Sequence, residues 1–197
     1  MVPAPLPPQI SREVGVYHRV SPGETLWRIS QMYNVDLDEI VRANRIPDSA
    51  IIEKGQLIFI PGSTGQKKEV TSGAPSVANF LWPVKGKVIS YFGTVQNNRI
   101  NKGIDIQSPA ENITASSSGK VTFCDYLKGY GRAIIVEHPN GISTVYAGDL
   151  QEAVRLDDRV TAGSLIARRA PASGSHTLMH FEVRRGYKSQ NPLYYLP

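Results

Sequence analysis

Cysteine is nearly missing: Cys124 is the single thiol in 197 residues, so no intrachain disulfide can form and no second thiol exists to build a metal site with it. Long apolar stretches are missing too. No run approaches the roughly 18 apolar residues of a bilayer-spanning helix, and the N-terminus has neither the basic start nor the apolar core of a signal peptide. The expectation is a cytosolic protein, or one whose targeting segment lies upstream. Charge of one sign is not concentrated either: 22 basic against 17 acidic residues give +5, a mild excess that favours an anionic partner. Without Lys/Arg runs interleaved with aromatics, a nucleic-acid binder is not indicated.

What is present is enough for one or two small domains with real cores, at 41% hydrophobic content. Residues 1–16 open with Val2-Pro3-Ala4-Pro5-Leu6-Pro7-Pro8, which reads as an extended tether. A β-like run begins at Tyr17. Ser21-Pro22-Gly23-Glu24 then supplies a turn, with Ser21 as N-cap and Glu24 as its capping-box partner. Leu26, Ile29 and Tyr33 share one helical face, and Asn34 tolerates the left-handed stop. A second helix fits 36–44, capped by Asp36, with Leu37, Ile40 and Val41 buried; a strand over 56–61 ends at Pro61. The unit is β-α-α-β.

The words Val20-Ser21-Pro22-Gly23-Glu24-Thr25-Leu26-Trp27, Tyr33-Asn34-Val35, Asn44 and Gly55-Gln56-Leu57-Ile58 through Ile60-Pro61 occur in order, and 17–61 resembles a LysM module. The resemblance implies binding of N-acetylglucosamine-containing glycans such as peptidoglycan. The groove it implies would be lined by Pro22, Gly23, Glu24 and Thr25 and, opposite, by Ile46, Pro47, Asp48 and Ser49. The same Pro-Gly and Pro-Asp pairs build turns whether or not a sugar is bound. Residues 62–78 are small and polar and read as a flexible linker and domain boundary, leaving the module tethered rather than docked.

From 79 to 197 the pattern is of short strands at near-regular spacing, among them 88–92, 119–124, 132–137, 143–146 and 180–183, with a hairpin turn at Pro139-Asn140-Gly141. The fold class expected is mainly β, an antiparallel sheet or sandwich, preceded by the small α+β module. Trp82-Pro83-Val84, Phe92-Gly93, Lys102-Gly103-Ile104-Asp105-Ile106, Gly129-Tyr130-Gly131, Glu137-His138, Tyr146-Ala147 and His180-Phe181-Glu182-Val183-Arg184 together resemble the LytM (lysostaphin-type) zinc metallopeptidase domain. That family's pattern is His-x-x-x-Asp followed by His-x-His. Here the first His is Asn101, Asp105 is kept, the first member of His-x-His is Leu178, and His180 remains.

A catalytic zinc needs about three protein ligands and an open position. Asp105 and His180 stand at ligand positions, and the Asn101 amide is a poor substitute for imidazole. In a strand the four-residue step from His176 to His180 spans about 13 Å, too far for one ion. His18 and His138 read as structural. Leu178 and Gly148, at the positions where the family carries proton-transfer histidines, have no group for the task. The resemblance is therefore to a degenerate domain: no catalytic residues, no metal, zinc lost.

The remaining groove would have Asn101, Asp105, Leu178 and His180 as floor and Tyr91, Arg99, Lys102, Tyr146 and Arg184 as walls, a composition suited to protein docking. LysM, linker and degenerate LytM in that order are similar to the NlpD-like and EnvC-like murein hydrolase activators. This implies a non-catalytic protein that holds peptidoglycan through LysM and an N-acetylmuramoyl-L-alanine amidase through the groove during cell separation. It implies the periplasm or cell envelope, with any membrane anchor upstream. A peptidoglycan-binding scaffold without an amidase partner and a zinc endopeptidase with unusual ligands remain alternatives.

Overall fold

The computed structural model describes residues 14–47, 51–64, 80–96, 98–170 and 176–197. The first unit is β1 (Gly15–Arg19), α1 (Leu26–Tyr33), α2 (Leu37–Asn44) and β2 (Leu57–Pro61), with β1 antiparallel to β2. The β-α-α-β order is the expected one. β1 starts two residues earlier than Tyr17, because Gly15 pairs with Pro61. Only glycine fits there, since a Cβ would meet the Ile60 carbonyl and the Phe59 ring. Residues 1–13 of the proposed tether lie outside the described residues.

The cap of α1 differs from expectation. Thr25, not Ser21, is the N-cap, its hydroxyl accepting from the Arg28 N–H at 3.2 Å. Ser21 to Glu24 form a separate turn, closed by Glu24 N–H to Ser21 O, with Gly23 at φ 73°, the positive value that favours glycine at the third position of such a turn. Glu24 still reaches back to the Ser21 N–H (2.6 Å). Half of the capping box exists, one turn ahead of the helix. Asn34 (φ 52°) and Asp36 end α1 and cap α2 as expected. Asn44 then pins α2 to β2: its amide donates to the Phe59 carbonyl and accepts from the Phe59 N–H, both at 2.7 Å.

The second unit is mainly antiparallel β. Its strands are β3 (Lys87–Ser90), β4 (Val95–Gln96), β5 (Arg99–Ile100), β6 (Ile104–Ser108), β7 (Asn112–Thr114), β8 (Gly119–Leu127), β9 (Gly131–His138), β10 (Ile142–Gly148), β11 (Leu150–Glu152), β12 (Arg159–Val160), β13 (Leu165–Arg169), β14 (Thr177–Arg185) and β15 (Lys188–Gln190). One sheet runs β12-β8-β9-β10-β14-β6-β3, with β15 on β14; β11-β13-β7 form a three-stranded sheet, and β4-β5 a short hairpin. The β9–β10 turn uses Asn140 and Gly141 at φ 66° and 68°, the Asn-Gly chemistry that such a turn favours.

One face of the main sheet is core: Ile104, Ile106, Ile134, Val136, Tyr146, Met179, Phe181 and Val183 are all buried. Behind it runs a polar chain. Burial holds His138 neutral. Its Nδ1–H donates to the Ser118 carbonyl (2.9 Å), so its Nε2 accepts from the Thr144 hydroxyl (2.7 Å). The Tyr146 hydroxyl, 2.9 Å from Thr144 Oγ1, accepts from the Ser116 N–H at 2.8 Å.

The two units are not merely tethered. Trp27 of α1 packs edge-on to Phe80 (ring centroids 5.5 Å) and lies against Tyr195 (5.6 Å), while Phe80 also meets His138 and Tyr195. Lys188 Nζ reaches Asp38 of α2 at 2.9 Å, and the buried apolar residues of both units form one continuous cluster. The expectation of an undocked module looked only at the small polar residues of 62–78, most of which lie outside the described residues. The seam is made by residues on either side of them, and burying Trp27 to 5% and Tyr195 to 2% exposure is what stabilises it.

Candidate functional site

Strand register assembles the site. β14 alternates strictly at its first five positions: Thr177, Met179 and Phe181 enter the core while Leu178 and His180 face away from it. His180 stands opposite Asp105 of β6 on one side and Ala147 of β10 on the other, and Leu178 opposite Gln107. Continuing at period two, Glu182 and Arg184 follow His180 on that face. The cleft is thus the second face of the main sheet.

Its centre is a chain of charge. His180 Nδ1 lies 2.7 Å from Asp105 Oδ1 and its Nε2 3.0 Å from Glu182 Oε1. Glu182 is fully buried. It also accepts from the Tyr130 hydroxyl (2.9 Å) and from Arg184 Nε (2.5 Å). Burial alone would lower the His180 pKa, but its hydrogen bonds to Asp105 and Glu182 and their charges outweigh that and raise it to about 9. Burial pulls Glu182 upward, and the His180 and Arg184 contacts overcome it and hold the carboxyl below its usual value. His180 is therefore an imidazolium at neutral pH, between two carboxylates.

Asn101 fills its position with hydrogen bonds of its own. Its amide N–H groups donate to Ser90 Oγ (2.9 Å) and Asp105 Oδ2 (3.2 Å), and its oxygen accepts from the Gly103 N–H (3.0 Å). This donor set does not fit zinc. Of the family's ligand positions only Asp105 and His180 keep a ligating side chain, and the Asn101 amide and the Leu178 side chain supply no third imidazole. Among the described residues no group of three or more His, Cys, Asp or Glu side chains is arranged to hold a metal.

Several expected positions fall elsewhere. Tyr146 is a wall of nothing: it is fully buried, packed on Phe181 at 5.3 Å, on the core face of β10. Tyr91 borders neither of the two hollows of the cleft. Arg184 is at the cleft but committed to Glu182. Arg99, Asn101, Lys102, Asp105 and His180 do come together, and Leu178 joins Asp105 and His180 in a neighbouring hollow. Gly148 is there as well, its backbone so close to the Leu178 carbonyl that a Cβ would approach to 2.6 Å. Glu182, Tyr130, Lys128 and Ile89 were not picked out as site residues. The period of two along β14 was the signal that would have found Glu182.

In the first unit, Pro22, Gly23 and Pro47 are exposed and Ile46 half-buried, whereas Asp48 and Ser49 lie outside the described residues. Thr25 caps α1. Glu24 is held by His18 (2.8 Å), whose other nitrogen meets the Tyr33 hydroxyl (3.1 Å). Both histidines expected to be structural, His18 and His138, are.

Comparison with known proteins gives a LysM domain match at residues 18–61 and a Peptidase family M23 match at 99–192. The uncharacterized lipoprotein YgeR of Escherichia coli is 32% identical, over 95% of this chain and 85% of its own length. The murein hydrolase activator NlpD of Escherichia coli is 40% identical over 61% of this chain, a match spanning about a third (32%) of that protein. Among solved structures, a putative peptidase M23 from Pseudomonas aeruginosa superposes with TM-score 0.51 at 25% identity, covering 62% of this chain and 52% of that one. A chain of the SpoIIQ–SpoIIIAH pore-forming complex gives TM-score 0.50 at 28% identity, covering 61% of this chain and 92% of its own.

Proposed function

The chain belongs to peptidase family M23, with a LysM domain ahead of the peptidase-like domain, and on that premise we propose that it is a non-catalytic activator of cell-wall amidases. The observation that carries this is the state of His180. With one nitrogen on Asp105 and the other on Glu182, the side chain at the ligand position is spent on carboxylates while the cleft around it stays open. Leu178 and Asn101 stand where the family carries histidines, and neither can ligate zinc as an imidazole does or transfer a proton.

The name of the NlpD relatives, murein hydrolase activator, supports a role exercised on a partner enzyme. The LysM domain supports peptidoglycan as the anchor. Because the Glu24 and Thr25 side chains are already engaged, sugar contacts fall to Pro22, Gly23, Ile46, Pro47 and the neighbouring Asp48 and Ser49. Several relatives are named as lipoproteins, which supports action in the cell envelope.

The test is release of dye from labelled cell wall by an N-acetylmuramoyl-L-alanine amidase, with and without the protein. Stimulation is expected, and Leu178→Asp, a change at a half-exposed position (51%), should abolish it. Metal content decides the enzyme alternative. Stoichiometric zinc in protein purified without chelator, lost in His180→Ala, would overturn the non-catalytic reading.

A further inference from the structure

Asp105 and His180 border two hollows that differ in the charge of their linings. On one side lies a space of about 890 Å³ lined by Arg99, Lys102 and Lys128 together with Tyr130 and Glu182. The three cations are exposed, and none is ion-paired with a described residue. The acids of this hollow cannot neutralise them, because Asp105 is bound to His180, and Glu182 to His180 and Arg184.

On the other side is a space of about 430 Å³ in which Ile89 and Leu178 stand over Ala147 and the Gly148 backbone, with Asp149 exposed at its edge. Ile89 and Leu178 are 46% and 51% exposed. Covering apolar surface in a concave site is favourable, at about 25 cal/mol per Å². The β4–β5 hairpin borders both spaces, placing Gln96 in the apolar one and Arg99 and Ile100 in the basic one.

We infer that the cleft is polar along its length and takes a segment of a partner protein that buries an apolar side chain against Ile89 and Leu178 and presents carboxylates to Arg99, Lys102 and Lys128. The inference rests on the activator reading and adds to it the partner's chemistry and direction. Asp149 enforces the direction: a segment lying the other way would bring its carboxylates to this acid and leave three cations facing its apolar end. A wall peptide, rich in carboxylates but without a large apolar side chain, would satisfy the basic hollow and leave the other bare.

Fluorescence anisotropy of two synthetic peptides tests this. They share one Leu anchor and differ only in carrying Glu or Lys at the residues on one side of it. The full chain should bind the Glu peptide about tenfold more tightly, a difference of about 1.4 kcal/mol. Lys102→Glu/Lys128→Glu, two exposed changes, should erase that preference, and Leu178→Asp should weaken both peptides.

Equal affinity for the two peptides in the wild type, or a preference that survives the double change, overturns the inference. So does a Glu peptide bound undiminished by Leu178→Asp and displaced by soluble muropeptides, which would assign the cleft to the wall. Amidase stimulation measured in parallel separates the two claims. Stimulation without a peptide preference sinks the polarity alone; a preference without stimulation of any amidase sinks the activator reading and leaves the polarity standing.

Discussion

His180 keeps an imidazole at one of the family's ligand positions, held between Asp105 and Glu182. Its folded pKa of about 9 stands above the ordinary 6.5, so the stability it contributes is fully present below about pH 6.5 and disappears as pH rises through 9. Glu182, held low, works at the other end: its contribution is present above its ordinary 4.5 and is lost as pH falls through the lowered value. Urea unfolding should therefore show wild type losing up to about 3 kcal/mol between pH 6.5 and 9.5, a loss missing from His180→Gln. Parallel curves for the two proteins would mean that His180 is not an imidazolium. A second residue-scale expectation concerns Tyr146. Removing its hydroxyl in Tyr146→Phe leaves the Ser116 N–H without its acceptor, at a cost of about 1–3 kcal/mol. Amidase stimulation by the folded protein should be unchanged, because the ring is in the core and not in the cleft.

At the scale of elements, the stop of α1, the cap of α2 and the hairpin turn were legible because their chemistry is local, whereas the N-cap of α1 fell on Thr25 and not on Ser21. Asn34, Asp36 and Asn140-Gly141 act within a few residues of themselves, and each does what its type predicts. What was not legible depended on pairing. Placing Tyr146 on the cleft amounts to a one-residue error of face. β10 sets Val145 opposite Glu182 and Tyr146 opposite Phe181, and in a strand that single step exchanges one face of the sheet for the other. The short strands β4, β5 and β15 carry too few residues for any period to show. Asn44 is a case between the two: it was legible as a motif residue, but its grip on Phe59, fifteen positions away, was not. Asn44→Ala should cost about 1–3 kcal/mol by stranding the Phe59 N–H, and hydrogen exchange at that amide should accelerate beyond the global change. Unaltered protection of Phe59 would show that the clamp is dispensable.

For the whole molecule, the order of four cleft positions was readable and their setting was not. Asn101, Asp105, Leu178 and His180 were found by their order in the chain, whereas the docking of the two units needed Trp27, Phe80 and Tyr195 to meet from three distant places. A single cooperative thermal transition is expected for the full chain. Tyr195→Ala, which removes one ring from the seam, should lower it by several kcal/mol and split it in two as the first unit melts alone. One unsplit transition in that variant would argue that the units are coupled by other contacts.

The seating of Trp27 also changes what separates the loops proposed to hold sugar from the cleft. A free tether would make that reach a statistical quantity that falls off with chain length; a packed seam makes it a caliper with one setting. Gly-Ser insertions between residues 65 and 79 should then leave amidase stimulation on intact cell wall unaltered. Tyr195→Ala, with the connecting chain untouched, should make the same activity sensitive to every residue added.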